Sequence, residues 1–126
     1  MPQTLFVLQQ GYLSALGILE RFLVWANAKR QALEATGVTV RARLSPLSDN
    51  PSVVLDIDTN TTVARITVWS DGNCFMEALD IKTDNELFAS NLHLDHDNDF
   101  DVVMIEFFNA LNIFDITKSS CITPPF

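Results

Sequence analysis

The 126-residue sequence has little glycine, little histidine and few groups suited to catalysis. It contains only 4 glycines, none of them adjacent, so it offers no glycine-rich loop to hold a phosphate group. Its serines lack the sequence context of a nucleophile elbow. The sequence has only 2 histidines, His93 and His96. We do not expect them to form a catalytic metal centre with aspartates. The sequence therefore predicts no catalytic residue, no metal and no cofactor, and we do not expect an enzyme.

Cysteine is also scarce. Cys74 and Cys121 are far apart and match no zinc-binding or redox spacing, so we expect free thiols in a reducing, cytoplasmic compartment. A composition of 48% hydrophobic and 19% charged residues is typical of a globular chain. A chain of this length is one domain and can bury a core without a metal or a disulfide.

Basic residues are few, and their distribution is uneven. Acidic residues outnumber them by 16 to 8, which gives a net charge of −8. Residues 1–50 contain five basic and three acidic side chains, whereas residues 51–126 contain three basic and thirteen acidic ones. A surface of this sign repels phosphate backbones, which argues against nucleic-acid binding. The acidity either attracts a basic partner or serves solubility alone, and the composition leaves both interpretations open.

The N-terminal stretch MPQTLFVLQQGYLSALGIL is apolar, but it predicts neither a signal peptide nor a membrane span. It lacks a basic n-region and a small-residue cleavage site. Gln9 and Gln10 interrupt it, and Glu20 and Arg21 end it short of the length needed to cross a bilayer. We expect a buried helix and no contact with membranes.

Hydrophobic periodicity predicts a helix, five strands and a second helix. Apolar residues from Leu13 to Leu33 recur at three- and four-residue steps, which indicates a helix from about Ser14, or from Thr4 with a kink near Gly11, to about Thr36. Trp25 lies in this helix and is interpreted as a core or core-edge residue. Gly37 is expected to end the helix. Alternation with a period of two then predicts strands at about 38–44, 53–58, 62–70, 74–81 and 87–94.

The C-terminal part contains a second broad apolar stripe of helical period, which runs from Phe100 to Leu111 and predicts a helix continuing to about Phe114. Asn98 or Asp99 is its expected N-cap. The predicted fold is therefore α+β: a two-layer domain in which an antiparallel five-stranded meander sheet is covered on one face by an N-terminal and a C-terminal helix. Residues 1–126 are expected to form a single domain, with 1–13 and 115–126 as peripheral segments.

The uncovered face of this sheet is the main functional feature of the sequence. Arginines on two strands are expected to pair with Asp56 and Glu77 across the sheet. The apolar groups among them, including Trp69 and Phe75, form a patch rimmed by charges, which is typical of a binding surface. A self-dimer through the sheet and a tail segment folded over it are the alternatives. The predicted face consists of Arg41, Arg43, Val54, Asp56, Arg65, Thr67, Trp69, Phe75, Glu77 and Leu79.

One acidic stretch, DHDNDFDVVMIE, has part of the spacing of a calcium-binding loop. Loop positions 1, 3, 5, 7 and 12 are occupied by Asp95, Asp97, Asp99, Asp101 and Glu106. Position 6, where the sharp turn requires glycine, is Phe100, and the strand-like sequence up to Leu94 leaves no preceding helix. Asp99 and Asp101 are better explained as caps of the final helix, and we predict no metal site.

Two segments together resemble the TriTu-type immunity proteins. They are FLVWANAKRQALEATGVTVRARLS…NPSVVLDID and ARITVWSDGNCFMEALDIKTDNELF, and the resemblance covers about residues 20–114. It implies a small cytosolic antidote to an interbacterial ADP-ribosyltransferase toxin that modifies elongation factor Tu and is delivered by a type VI secretion system. The positions that match the family pattern are Trp69, Gly72, Glu77 and Asp80. Gly72 would be structural, Trp69 and Glu77 would contact the toxin, and Asp80 has no clear role.

The resemblance and the predicted face lead to two hypotheses. In the first, the chain occludes the basic cleft of a cognate toxin and is a monomer or a homodimer. In the second, it is an acidic secretion chaperone that holds a segment of an effector, as dimeric type III effector chaperones do. The residues predicted to bind the partner are Trp69, Glu77, Arg65, Phe75, Asp56 and Asp71.

Overall fold

The computed structural model describes residues 17–45, 49–95 and 98–113. Over these ranges the chain forms one long helix, five strands and two short helices, in the order α1 (Ile18–Ala35), β1 (Thr39–Ser45), β2 (Ser52–Asp58), β3 (Thr62–Trp69), β4 (Asn73–Asp80), β5 (Glu86–His93), α2 (Phe100–Val103) and α3 (Ile105–Ala110). Three predictions concern residues outside the described ranges: a helix start at Ser14 or Thr4, a kink near Gly11, and the segment from Phe114 onward. No described helix is both long and apolar enough to span a membrane.

Helix α1 ends where its sequence predicts. Gly37 has φ +93°, a backbone angle that disfavours residues with a Cβ atom, and its N–H donates to the carbonyl of Glu34 at 3.0 Å. The Thr36 hydroxyl donates to the Leu33 carbonyl at 2.7 Å and satisfies another group of the last turn. These bonds satisfy carbonyl groups of the last helical turn, and β1 begins two residues after Gly37.

The five strands form one antiparallel sheet in the order β1-β2-β3-β4-β5, which confirms the predicted meander. Leu55 on β2 lies opposite Ile66 on β3, and Ile66 lies opposite Met76 on β4, so one face of the three central strands is continuously apolar. Since side chains alternate along a strand, this register assigns every second residue to that face. The predicted strand boundaries agree with the structure to within one or two residues.

Helices cover the apolar face of the sheet, and the core lies between the two layers. Phe22 and Leu33 of α1, together with Phe107 and Phe108 of α3, are completely or almost completely buried there. The strands contribute fully buried aliphatic side chains, namely Val53, Leu55, Ile57, Ile66 and Val68. The predicted two-layer α+β architecture is therefore confirmed.

Trp25 and Asp101 join the two helical segments. The Trp25 indole lies 5.7 Å from the Phe22 ring and 5.7 Å from the Phe100 ring, centroid to centroid, and its Nε1 donates to Asp101 Oδ1 at 2.8 Å. Lys29 Nζ lies 3.0 Å from the same carboxylate oxygen. The half-buried Trp25 is thus a core-edge residue, as predicted, and it fixes α1 against α2.

The prediction of one continuous C-terminal helix is wrong. Met104, with φ −94° and ψ 3°, separates α2 from α3. The apolar period continues across this residue, which is why the sequence pattern alone predicts a single helix. Asp99 is the N-cap, as expected, because its carboxylate accepts from the Asp101 N–H at 2.9 Å. The last turn ends earlier than predicted, at Asn112, whose φ of 60° permits the Ile113 N–H to donate back to the Phe108 carbonyl.

The thiol of Cys74 is free and completely buried beneath the helices. Burial raises its pKa to about 12, because the thiolate would lose its hydration, so the group stays protonated. Cys121 lies outside the described residues.

Candidate functional site on the open face of the sheet

The side of the sheet that faces away from the helices is called the open face here. Along β3, Ala64, Ile66 and Val68 are buried against the helices, so the intervening Arg65 and Trp69 belong to the open face. Within the described ranges, no helix or strand packs against this side. The register predicted from the sequence is therefore confirmed for the three central strands.

A row of charged residues crosses the open face from β1 to β4. In register, Arg41 lies opposite Asp56, Asp56 opposite Arg65, and Arg65 opposite Glu77. Asp56 Oδ1 accepts from Arg65 Nε at 2.7 Å, and its Oδ2 lies 3.0 Å from Arg43 Nη2. The predicted pairing of arginines on two strands with Asp56 is correct. Asp56 therefore ties three strands together.

The two arginines determine the ionisation of Asp56. Its partial burial acts to raise the pKa, but the hydrogen bonds from Arg65 and Arg43 and their positive charges outweigh that effect, so the pKa of Asp56 lies below its ordinary value. The same hydrogen bond, together with the nearby charges of Glu77 and Asp58, raises the pKa of Arg65. Asp56 and Arg65 are therefore both ionised near neutral pH.

Glu77 differs from Asp56. It lies opposite Arg65, but in the described part of the chain it forms no ion pair within 4.0 Å, so the expected pairing of an arginine with Glu77 is not present. Asp58, at the end of β2, accepts only a long hydrogen bond of 3.4 Å from the Ala64 N–H. Among the described residues, these two carboxylates of the open face thus lie near Arg65 but form no ion pair within 4.0 Å.

Aromatic and aliphatic side chains adjoin the charged row. Trp69 lies opposite Ser52, and Phe75 lies opposite Thr67; both aromatic side chains are half-buried. Val54, the neighbour of Thr67 on β2, is only 8% exposed although it points away from the helices. Partly exposed aromatic side chains beside fixed charges are typical of protein-binding surfaces.

Asp71 lies at the end of the sheet, in the β3–β4 turn, and not on the open face itself. Its Oδ1 accepts from the Asn73 N–H at 2.9 Å, and its Oδ2 accepts from Asn50 Nδ2 at 3.1 Å. Asn50 Oδ1 in turn accepts from the Ser70 hydroxyl at 2.6 Å. The loop before β2 is thereby bonded to the turn that follows Trp69. Sequence reasoning missed Asn50, although it belongs to the NPS segment that carries the family resemblance.

Gly72 has the structural role that the resemblance implies. Its φ is +96°, and a Cβ atom at this position would lie 2.6 Å from the carbonyl oxygen of Leu94 and 2.9 Å from His93 Cε1. Of the Asp71-Gly72 pair, only Gly72 has a positive φ. The turn spans Ser70 to Gly72, with the Gly72 N–H donating to the Trp69 carbonyl at 2.9 Å.

A hollow of about 320 Å³ lies on the open face between β2, β3 and β4. The predicted residues of the uncovered face do not include Asp58 or Val63. The period of two nevertheless gives them the same parity as Asp56 and Arg65. The hollow is lined by Asp56, Asp58, Val63, Ala64, Arg65, Glu77 and Leu79.

Five of the six residues predicted to bind a partner are therefore on one face, and Asp71 lies at its end. In the acidic stretch DHDNDFDVVMIE, which has part of the spacing of a calcium loop, two aspartates have structural roles. Asp99 caps α2, and Asp101 bonds to Trp25 and Lys29. Asp97 lies outside the described residues, and the described ones contain no group of three or more histidine, cysteine or acidic side chains that could hold a metal ion.

The family model described as "Immunity protein TriTu" matches residues 20–110. The matched range begins within α1, includes the whole sheet and ends with α3. No curated protein matches the chain.

Proposed function

The chain belongs to the TriTu family of immunity proteins, which are toxin-neutralising proteins, and on this premise we propose that it binds its cognate toxin through the open face of the sheet. The observation that carries the proposal is the position of Trp69 and Phe75. Both aromatic side chains lie half-buried beside the charged row, on a side that no described element covers. Tryptophan and arginine are the residues most enriched among those that dominate binding energy at protein interfaces.

We further propose that the toxin is of the ADP-ribosyltransferase type, delivered by a type VI secretion system, and that the chain acts in the cytoplasm by occlusion alone. A toxin that uses NAD must admit an anionic dinucleotide, so its cleft tends to be basic. A chain with a net charge of −8 is attracted to such a cleft, which accelerates the encounter. Burial of the aromatic side chains then slows dissociation. In this mechanism the antidote contributes no catalytic group.

The experiment is substitution of the central aromatic residue. Trp69→Ala should weaken binding to the cognate toxin domain by about thirtyfold, since truncation of a dominant interface residue typically costs about 2 kcal/mol or more. Dissociation constants by calorimetry and survival of cells that co-express the toxin are the two measurements. The matched control is Val102→Ala on α2, where the side chain is 61% exposed on the helical side of the molecule.

Thermal melting of both variants separates loss of contact from loss of folding. The proposal requires that Trp69→Ala remains folded at the assay temperature and loses protection, while Val102→Ala protects fully. Full protection and unchanged affinity of the Trp69 variant would show that the toxin binds elsewhere. A stable dimer joined through the open face would favour the chaperone hypothesis instead.

A further inference from the structure

The geometry points to one specific feature of the partner: we propose that the hollow on the open face receives a single cationic side chain, an arginine or a lysine, of the bound toxin. This inference rests on the proposed function, because it assumes that the toxin binds to the open face. It adds the chemistry of the group that enters the hollow and the residues that recognise it.

The shape of the hollow suits one long side chain. Val63 on β3 and Leu79 on β4 lie directly opposite each other and form its apolar wall. Val63 is 42% exposed, so this wall is accessible from solvent. A volume of about 320 Å³ is at the lower end of the range for small-molecule sites, roughly 300–1,000 Å³. Arginine and lysine combine an aliphatic stem with a charged end and so match a wall of this kind next to carboxylates.

The charge of the hollow favours a cation. Three carboxylates line it, against the single guanidinium of Arg65. That guanidinium is held on Asp56 at 2.7 Å, and Arg43 occupies the other oxygen of the same carboxylate. Glu77 and Asp58 therefore remain without an ion-pair partner in the described ranges. A carboxylate that becomes buried in an interface without a partner is costly, so a bound protein must supply a positive group here.

The chain itself offers few alternative sources for that group. Of its 8 lysines and arginines, Lys118 is the only one outside the described residues. Among the others, Lys29 is bonded to Asp101 and Arg30 to Glu34, both away from the open face. Lys118 is the one whose position the structure does not describe, and a single substitution tests it as an internal occupant.

The test compares two substitutions that remove the same charge. Glu77→Gln removes it from the hollow, and Glu106→Gln removes it from an exposed position on α3. With the full chain and the cognate toxin domain, we expect Glu77→Gln to raise the dissociation constant about tenfold and Glu106→Gln to change it less than twofold. Since both variants have the same net charge, long-range attraction cancels in the comparison.

Alanine substitution of the exposed lysines and arginines of the toxin then identifies the entering side chain. One toxin variant should bind the wild-type chain about tenfold more weakly than the unchanged toxin does. The same toxin variant should bind the Glu77→Gln chain with almost the same affinity as the unchanged toxin, which shows that the toxin residue and Glu77 interact directly. Equal affinities of the Glu77 and Glu106 variants, with Trp69→Ala still impaired, would overturn this inference and leave the proposed function intact. Absence of any complex with the wild-type chain would overturn both. An increase in toxin affinity on Lys118→Ala that Lys82→Ala, which removes the same charge from an exposed turn, does not reproduce would identify an internal occupant and also overturn the inference.

Discussion

Replacement of Gly72 by alanine tests how the turn beside the open face is built. The φ of +96° is strained for any residue with a Cβ atom, at a cost of about 1–2 kcal/mol. The new Cβ would also lie 2.6 Å from the backbone oxygen of Leu94, a contact that backbone movement alone can relieve. That movement weakens the hydrogen bond from the Leu94 N–H to the Gly72 carbonyl. This bond is 2.7 Å long and contributes roughly 0.5–1.5 kcal/mol to stability.

Gly37 provides the matched control. Its φ of +93° is almost the same, but a Cβ atom there would meet nothing within 4 Å. Gly37→Ala should therefore cost only the backbone strain, about 1–2 kcal/mol, whereas Gly72→Ala should cost about 2–4 kcal/mol. Both substitutions reduce the conformational freedom of the unfolded chain equally, so that effect cancels between them.

Urea unfolding at neutral pH, followed by circular dichroism, measures the free energy of unfolding of the two variants and the wild type. The expected result is that the Gly72 variant is less stable than the Gly37 variant by about 1–2 kcal/mol. If the two variants have the same stability, the close approach of Gly72 to Leu94 does not constrain the turn and the argument is refuted.

Two further predictions concern ionised groups. Because the pKa of Asp56 is lower in the folded than in the unfolded chain, its contribution to stability is complete above its ordinary value of 3.8 and is lost as the pH falls through the lower folded value. The stability advantage of the wild type over Asp56→Asn should therefore be largest at neutral pH and shrink as the pH falls below 3.8 in urea titrations; an advantage independent of pH would contradict this. Trp25→Phe retains an aromatic ring but removes the 2.8 Å bond to Asp101, so the free energy of unfolding should fall by at least about 1–2 kcal/mol. Trp25→Phe combined with Asp101→Asn should cost less than the two single substitutions added together.

Much of the fold follows from local patterns. The five strands, their order and their faces could be predicted because side chains of an extended chain alternate, so Ile66 and Arg65 cannot share a side of the sheet. Gly37 marked the end of α1 because few other residues adopt positive φ. The break at Met104 could not be predicted, since the apolar period is the same in one helix as in two consecutive short ones.

The candidate site was only partly predictable. Trp69 and Phe75 could be assigned to the uncovered face from parity alone, whereas the hollow depends on Asp58 and Val63, which lie on two strands and come together only through pairing of β2 with β3. Asn50 had no pattern to reveal it, because its bonds to Ser70 and Asp71 cross about twenty residues of sequence.

The sequence by itself determined which side chains share a face, since this follows from residue order and from the alternation of side chains along a strand. Only the tertiary structure decided which charges neutralise each other. Asp56 is held by arginines from two neighbouring strands, while Glu77 lies opposite one of the same arginines without pairing to it. The physical reason is that an ion pair depends on the reach and orientation of side chains across an assembled sheet, and these are not properties of any one strand.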